Sequence, residues 1–585
     1  MANPYLRRPT RNLTGLWLTV AVLAFVIGWR LLVIACGNEP PHWRAIAAEL
    51  GSVPQFKQDL SPNSTGTRLV FCQDTEKGVG IYFCETDSGK KKLLCEQKEK
   101  GYSWQRFSML GWSPDDKLFA YAIPLDGQID PGHREEQIVV CNGLSGEMVA
   151  KISVDPNLYE LAWMSPYSFV YSTDFNYDLK LIERNSDGKW VNREIFQKVS
   201  KERPENLIAT SEGSVAWQEG GDIWSLDFES SSIKKIWESG TNQLVDFTYS
   251  KEAKEFLLNG NDSKGPFCIR FDPFTKWTSS MGRVDDQPNY IASVTWINGG
   301  SGYVYVSADD KGEPVFCIKT KPDSVPIRAS CPGLEINTDG RQNYILSGDG
   351  LFFTCKMDYN FPGIWEYDIK SRTSRCIVLS STSGFVHAKI TLPLIGIVTN
   401  AAGWRMTYRL WQPVHVSTRK KYPLIITEQL WNVFPYAQIA VNEGFYFAVI
   451  DQSCVVDLYK TLAKNPNIDT NRVYFYASSV HSSFASEFVS EKPDLWKGAI
   501  LFCPIALPGL PYLHNKRLLI IDGENDPILI GDLAAVDRLM GYQDQAAKNG
   551  IPVALSFLNG SGHTSNSINT ERMRAQRFSK FLSED

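Results

Sequence analysis

A serine hydroxyl becomes a useful nucleophile when a histidine can take its proton. The histidine in turn needs a carboxylate to fix its tautomer and to stabilise the imidazolium. Late in this 585-residue chain, three residues of those types follow one another: Ser479, Asp526 and His563. Ser479 lies in RVYFYASSVHSSFASEF, where an apolar run from Val473 to Tyr476 passes into small residues and then into a segment of helical character. Asp526 follows RLLIIDGEN, and His563 follows VALSFLNGSG. Singly they read as a surface serine, a turn aspartate and a loop histidine. Together, each just beyond an apolar run, they have the composition of an acyl-transfer site. The backbone N–H of Val480 would then supply one donor to the oxyanion.

Such residues meet only if the elements before them lie side by side. From about residue 379, HAKITLPLIG and WRMTYRLWQP read as alternating strands, and KKYPLIITEQ and GFYFAVIDQ as buried ones. VVDLYKTLAKN reads as a helix, RVYFYA as a strand, SSFASEFVSEK as a helix and GAILFCP as a strand. RLLIIDGENDP, the helix DLAAVDRLMGYQDQAAKNG, the strand PVALSFLNG and a last helix from Thr570 to Leu582 complete the set. Apolar strands alternating with helices predict a mostly parallel sheet covered on both faces, with its chemistry beyond the carboxyl ends of the strands. The chain order Ser, Asp, His is that of α/β-hydrolases, whose serine sits in a G-x-S-x-G turn. Here the flanking positions are Ala477 and His481. Glycine is favoured there because the two positions approach closely; Ala477 adds a methyl group and His481 a whole imidazole. His481 could act as a local base or oxyanion donor, and more simply reads as a histidine opening the next helix.

Upstream, residues 55 to 378 carry a degenerate repeat. Its marker, a short strand and a polar turn, recurs as GIYFCETDSGK, QIVVCNGLSGE, DLKLIERNSDGK, DIWSLDFESSSIK, PFCIRFDPFTK, PVFCIKTKPDS and GIWEYDIKSRTSR. A second marker precedes several copies, as in LSPNSTGTRLVF, WSPDDKLFAYA, MSPYSFVYS and TSEGSVAW. Seven markers predict a propeller of about seven four-stranded blades. Cys84, Cys141, Cys268 and Cys317 fall near one repeat position and read as small packed apolar residues. The pair Glu135-Glu136 could bind a substrate amine but reads better as a solvated loop.

At the N-terminus Arg7, Arg8 and Arg11 precede an apolar run that extends to Ala35, interrupted only by Arg30. Its length spans a bilayer if Arg30 snorkels, and the flanking charge predicts a cytoplasmic tail (1–11), an anchor (12–36), a linker (37–54) and an extracytoplasmic body. A lipidated Cys36 is the alternative, against which the internal Arg30 argues. Net charge is −5 with both signs interspersed and no basic stripe, which makes nucleic acid a poor partner. The 12 cysteines contain no C-x-x-C and no Cys/His cluster at metal spacing, so no metal or cofactor is expected. An extracytoplasmic body would permit disulfides. The sequon Asn63-Ser64-Thr65 cannot be assigned as glycosylated without a source.

A propeller followed by this C-terminal domain (379–585), with KKYPLII, NPNIDTNRVYFY, PDLWKGAILFCP, LLIIDGENDPI and GIPVALSFLNGSGH, resembles the prolyl oligopeptidase and dipeptidyl peptidase family of serine peptidases. The resemblance implies hydrolysis of short peptides, or of small esters or amides, in a cavity to which the propeller restricts access. It implies Ser479 as nucleophile, His563 as general base and Asp526 as its orienter. Three departures stand out. The elbow glycines are replaced; the stretch Thr427-Glu428-Gln429-Leu430-Trp431-Asn432 has no glycine where the family has a glycine-rich oxyanion run; and only about 20 residues separate Asp451 from Arg472. The competing expectation is therefore a catalytically impaired homologue that binds or scaffolds through its propeller.

Overall fold

The computed structural model describes residues 42–584 except for short internal stretches, the longer ones being 99–110, 125–135, 284–291, 331–343, 356–362, 380–387, 527–532 and 562–566. The apolar span 12–36, Cys36 and Glu135 lie outside the described residues. Among the described residues no helix is long and apolar enough to cross a membrane.

Seven four-stranded antiparallel sheets follow one another along the chain, spanning 56–98, 111–154, 158–196, 205–237, 243–283, 292–330 and 344–379. Within each blade the strands pair in sequence order. The repeat marker is the third strand with its turn into the fourth, as in Gly78–Glu85, Glu136–Asn142 and Pro314–Lys319. Several third strands are legible because they are covered on both faces and read as apolar runs. Phe316, Cys317 and Ile318 are almost wholly buried, for example. Cys84, Cys141, Cys268 and Cys317 are buried free thiols on these strands. Fourth strands are poorly marked because they lie on the outer edge; Ser232–Trp237 is exposed over its first four residues.

Neighbouring blades are joined by side chains bonding to backbone. The Trp112 indole donates to Ser61 O (2.9 Å), and Trp163 does the same to Gly111 O (3.0 Å) one blade further on. Asp116 accepts from Ser64 N (2.9 Å), and Glu160 accepts from Asn206 N and Leu207 N (3.1 and 2.6 Å). The ring closes where the Ser347 hydroxyl of the last blade donates to Asn63 O of the first. The sequon asparagine is thus structural: Asn63 is buried, accepts from Arg68 N (2.9 Å) and donates to Thr65 and Asp116.

The C-terminal domain contains one eight-stranded sheet. Its strands are β1 (Leu394–Thr399), β2 (Arg405–Trp411), β3 (Tyr422–Thr427), β4 (Tyr446–Val449), β5 (Ile468–Ser478), β6 (Gly498–Phe502), β7 (Arg517–Gly523) and β8 (Val553–Leu558). The spatial order is β1-β2-β4-β3-β5-β6-β7-β8, with β2 antiparallel to both its neighbours and every pair from β4 to β8 parallel. Side chains alternate between two cores, as a period of two requires. Val473, Phe475 and Ala477 face helices α3 (Val455–Leu462), α4 (His481–Glu491) and α5 (Leu533–Lys548). Tyr474 and Tyr476 face α1 (His42–Leu50), α2 (Phe434–Asn442) and α6 (Ile568–Ser583).

Two segments differ from expectation. Residues 37–54 read as linker, yet 42–50 form α1, whose Ile46, Ala47 and Leu50 are buried against α2 and α6. A Cβ on Gly51 would meet Arg572 Cα and Ala575 Cβ at 2.8 Å, so glycine lets the end of α1 lie directly on α6. The stretch HAKITLPLIG forms a strand only from Leu394. Before it, Lys389 N donates to Asn442 Oδ1 and Thr391 N to Gln438 Oε1 (both 2.9 Å), so side chains of α2 satisfy a backbone that would otherwise seek a strand partner.

Asp246 gives the propeller a titratable core. It is fully buried and accepts from Phe247 N through Oδ1 (2.8 Å). Burial pushes its carboxyl up to about 7 against the pull of the amides that bond to it. A carboxyl raised on folding stabilises the fold below its unfolded value, and that contribution is lost as pH rises through about 7. Asp246→Asn keeps the Oδ1 acceptor and removes the ionisation. The variant should melt several degrees above the parent at pH 8, keep only part of that advantage at pH 5 and lose it below about pH 4, read by thermal unfolding across that range.

Candidate active site

At the carboxyl end of β5 the chain must leave a central strand and at once form α4 over the same face. Strand pairing holds to the last residue, with Ala477 opposite Leu501 and Ser478 opposite Phe502, and Ser479 N still donates to Phe502 O (2.9 Å). Val480 is already right-handed helical (φ −55°, ψ −33°) and α4 begins at His481. The reversal therefore falls on one residue, and Ser479 takes φ +51°. A non-glycine residue in that region is strained by about 1–2 kcal/mol and is held there by its surroundings. Here the surroundings are specific. Ser482, fully buried in the first turn of α4, donates its hydroxyl to Ser479 O (2.5 Å) and accepts from Ile505 N and Ala506 N (2.9 and 3.2 Å). The serine-rich run thus holds a lock for the turn as well as the candidate nucleophile.

Below the turn, Tyr436, Tyr476, Phe502 and Phe578 pack together, with rings edge to face and centroids 4.8–5.3 Å apart for Tyr436–Phe502, Tyr436–Phe578 and Tyr476–Phe502. They fix the ends of β5 and β6 against α2 and α6. Ser479 itself is half-buried and Val480 is 61 % exposed, so the outer side of the turn is open.

Asp526 lies three residues beyond β7, is 1 % exposed, and donates its backbone N–H to Gly523 O (3.1 Å). Beside it are Asp522, also 1 % exposed, and Cys503, which follows β6 and has φ +45°. One ligand-type atom from each of Cys503, Asp522 and Asp526 lies within 4.8 Å of the others. The site already has a fixed cation, because Arg574 of α6, itself buried, donates Nη2–H to Cys503 Sγ at 3.3 Å. A buried guanidinium against the sulfur thus brings a positive charge to this buried group. Burial first, and then the charge of Asp526, push the Asp522 carboxyl well above the usual carboxylate range. Burial likewise raises the Cys503 thiol, with Arg574 opposing.

His563 lies outside the described residues. The segment around it is held at both ends. Ser561 N donates to Leu558 O (3.2 Å), and Ile568 N donates to Thr75 O (2.9 Å) in the first blade. Arg572 of α6 reaches Glu76 in the same blade turn (3.3 Å). The propeller thus fixes the far end of the chain that carries the candidate histidine.

On the β3 side of the turn, the position that is glycine in a G-x-S-x-G turn carries the His481 side chain. His481 Nδ1 lies 3.1 Å from Oε1 of Glu428, the first residue after β3, with the imidazole 39 % and the carboxylate 3 % exposed. Reading the sequence for missing glycines passed over Glu428, Asp522, Cys503 and Arg574. Acidic residues at the carboxyl end of a buried strand or just beyond it, in LIIDG and LIITE, were the available signal.

No protein-family profile and no curated protein matches this chain by sequence. Solved structures do match. A prolyl endopeptidase aligns over 100 % of this chain and 97 % of its own at 12 % identity, TM-score 0.66. The acylaminoacyl peptidase of Pyrococcus horikoshii aligns over 90 % and 95 % at 12 %, TM-score 0.59. A puromycin hydrolase aligns over 92 % and 95 % at 11 %, TM-score 0.63. At these identities the likeness shows the fold: a seven-bladed propeller joined to an α/β-hydrolase domain.

Replacing the candidate nucleophile tests the strain at the turn. Ser479→Gly should be more stable than Ser479→Ala by about 1 kcal/mol, because only glycine takes positive φ at no steric cost. Comparing the two denaturant midpoints of the C-terminal domain checks it.

Proposed function

We propose that this protein is a membrane-anchored serine hydrolase, a prolyl-oligopeptidase-like peptidase that cleaves short peptides through Ser479, His563 and Asp526. The observation that carries the reading is the left-handed Ser479, poised between the fifth strand of a β1-β2-β4-β3-β5-β6-β7-β8 sheet and the helix that follows it. A strained turn that lifts one hydroxyl above a central strand is how this fold exposes a nucleophile. The buried carboxylate after β7 and a histidine after β8 complete the order in which the fold supplies a triad.

In this mechanism His563 accepts the Ser479 proton as Oγ attacks the carbonyl carbon, and Asp526 orients the imidazole. The oxyanion forms beside the N–H of Val480, at the open first turn of α4, where backbone donors have no carbonyl partner within the helix. His563 then protonates the leaving amine, and water repeats the sequence to release the acid. The anchor is residues 12–36, with the body outside the cytoplasm.

The second reading, a non-catalytic homologue acting through its propeller, draws on His481 standing where a glycine would open the turn. A fluorophosphonate probe decides between them. The full-length protein should be labelled, and Ser479→Ala should not; a folded wild type that takes no Ser479-dependent label overturns the hydrolase reading. His563→Ala should lower the hydrolysis rate by about 10⁴–10⁶. For the anchor, the full chain should stay in the membrane pellet after alkaline carbonate extraction, and a chain beginning after residue 36 should not.

A further inference from the structure

An α/β-hydrolase builds its oxyanion hole from two sides: the N–H of the residue after the nucleophile, and a donor from the loop between β3 and the following helix. In this protein the two sides are joined by a side-chain pair. Glu428 is the first residue of the β3–α2 connection, and β3 is the immediate parallel neighbour of β5, with Ile426 opposite Phe475. His481 opens α4, next to Val480. Their contact therefore crosses from one half of the hole to the other.

The geometry of that pair is one-sided. Glu428 is 97 % covered, so its carboxylate can serve only groups already packed around it, and the imidazole is one of them. The imidazole is much more open than its partner. When a ring is bound through Nδ1, Nε2 points away from the acceptor. In the imidazolium form both nitrogens donate, Nδ1–H to Glu428 and Nε2–H outward. A glycine at this position would leave the space empty; here an oriented donor fills it.

We infer that His481, oriented by Glu428, is a catalytic residue that donates Nε2–H to the oxyanion formed at Ser479, beside the N–H of Val480. This rests on the hydrolase reading above and deepens it. As Ser479 Oγ bonds to the carbonyl carbon, the carbonyl π pair moves onto oxygen, and that charge is met by one backbone and one side-chain donor. The Ser479 proton goes to His563, and His481, acting as the imidazolium, keeps both ring protons throughout. Collapse returns the pair to the carbonyl and expels the leaving group, so His481 neither gains nor loses a proton over the step. The replaced glycine and the glycine-free β3–α2 connection are then one substitution in two places: a side-chain donor with its orienting acid.

The test is the rate at which a fluorophosphonate labels Ser479, separated into the limiting rate constant and the half-saturating probe concentration. The variants are His481→Ala, His481→Gln, His481→Phe and Glu428→Gln, each with its melting temperature. Removing an oxyanion donor should lower the limiting rate constant by about 10²–10³ and leave half-saturation unchanged. His481→Gln, which retains an N–H, should recover most of the rate. His481→Phe, which fills the space without a donor, should not, and it carries the comparison should His481→Ala fail to fold. Glu428→Gln should slow labelling less than His481→Ala. Labelling of His481→Phe at the wild-type rate overturns the inference and leaves the hydrolase reading standing. Equal slowing of Gln and Phe variants with a matching fall in melting temperature also overturns it, making the pair a staple of the fold. A wild type that takes no label overturns both.

Discussion

The conformation of this domain turns on a conflict at one residue. β5 is buried on both faces and bonded on both edges, to β3 and to β6, and its ladder continues into the amide of Ser479. The helix that follows must lie back over the same face, burying Ala485, Phe488 and Val489 beside Phe475 and Ala477. A chain can satisfy both only by reversing within a single residue, which forces the left-handed backbone at Ser479. The cost is met locally by the Ser482 lock and by the aromatic packing under β5 and β6. The raised hydroxyl is a consequence of that packing, since the glycines that usually ease such a turn are absent.

Around the turn, charge is handled in two ways. On the α6 side, two carboxyls and a thiol are buried with one guanidinium, and burial pushes the Asp522 carboxyl and the Cys503 thiol up. On the β3 side, a single buried carboxyl group is matched to a half-open imidazole.

The propeller is built from local hairpins, each blade a contiguous stretch of chain, so no strand is exchanged to close the ring. Closure falls to side-chain bonds between neighbouring blades, repeated with different residues: Trp112, Trp163, Asp116, Glu160 and Ser347. The first blade also holds α6 through Thr75 and Glu76, next to the segment bearing His563. Buried α1 adds a third attachment, from the chain just before the propeller to α2 and α6.

Much of this was legible in the sequence because its signals are local. Third strands, several of them buried on both faces, followed by polar turns, marked all seven blades. Apolar runs alternating with helical patterns marked the sheet, and the chain order of Ser479, Asp526 and His563 followed from where those runs end. The serine's neighbours Ala477 and His481 announced an unusual turn. What the sequence by itself determined was thus the type and order of elements and the residues at their ends, since these depend on periodicities of a few residues. Tertiary structure alone decided that Ser479 is left-handed, that Glu428 meets a histidine 53 positions later, and that Arg574 lies against Cys503 across 71. It also turned a stretch read as linker into the buried helix α1. Those contacts depend on which strands become neighbours, and sheet order is set by the packing of the whole domain.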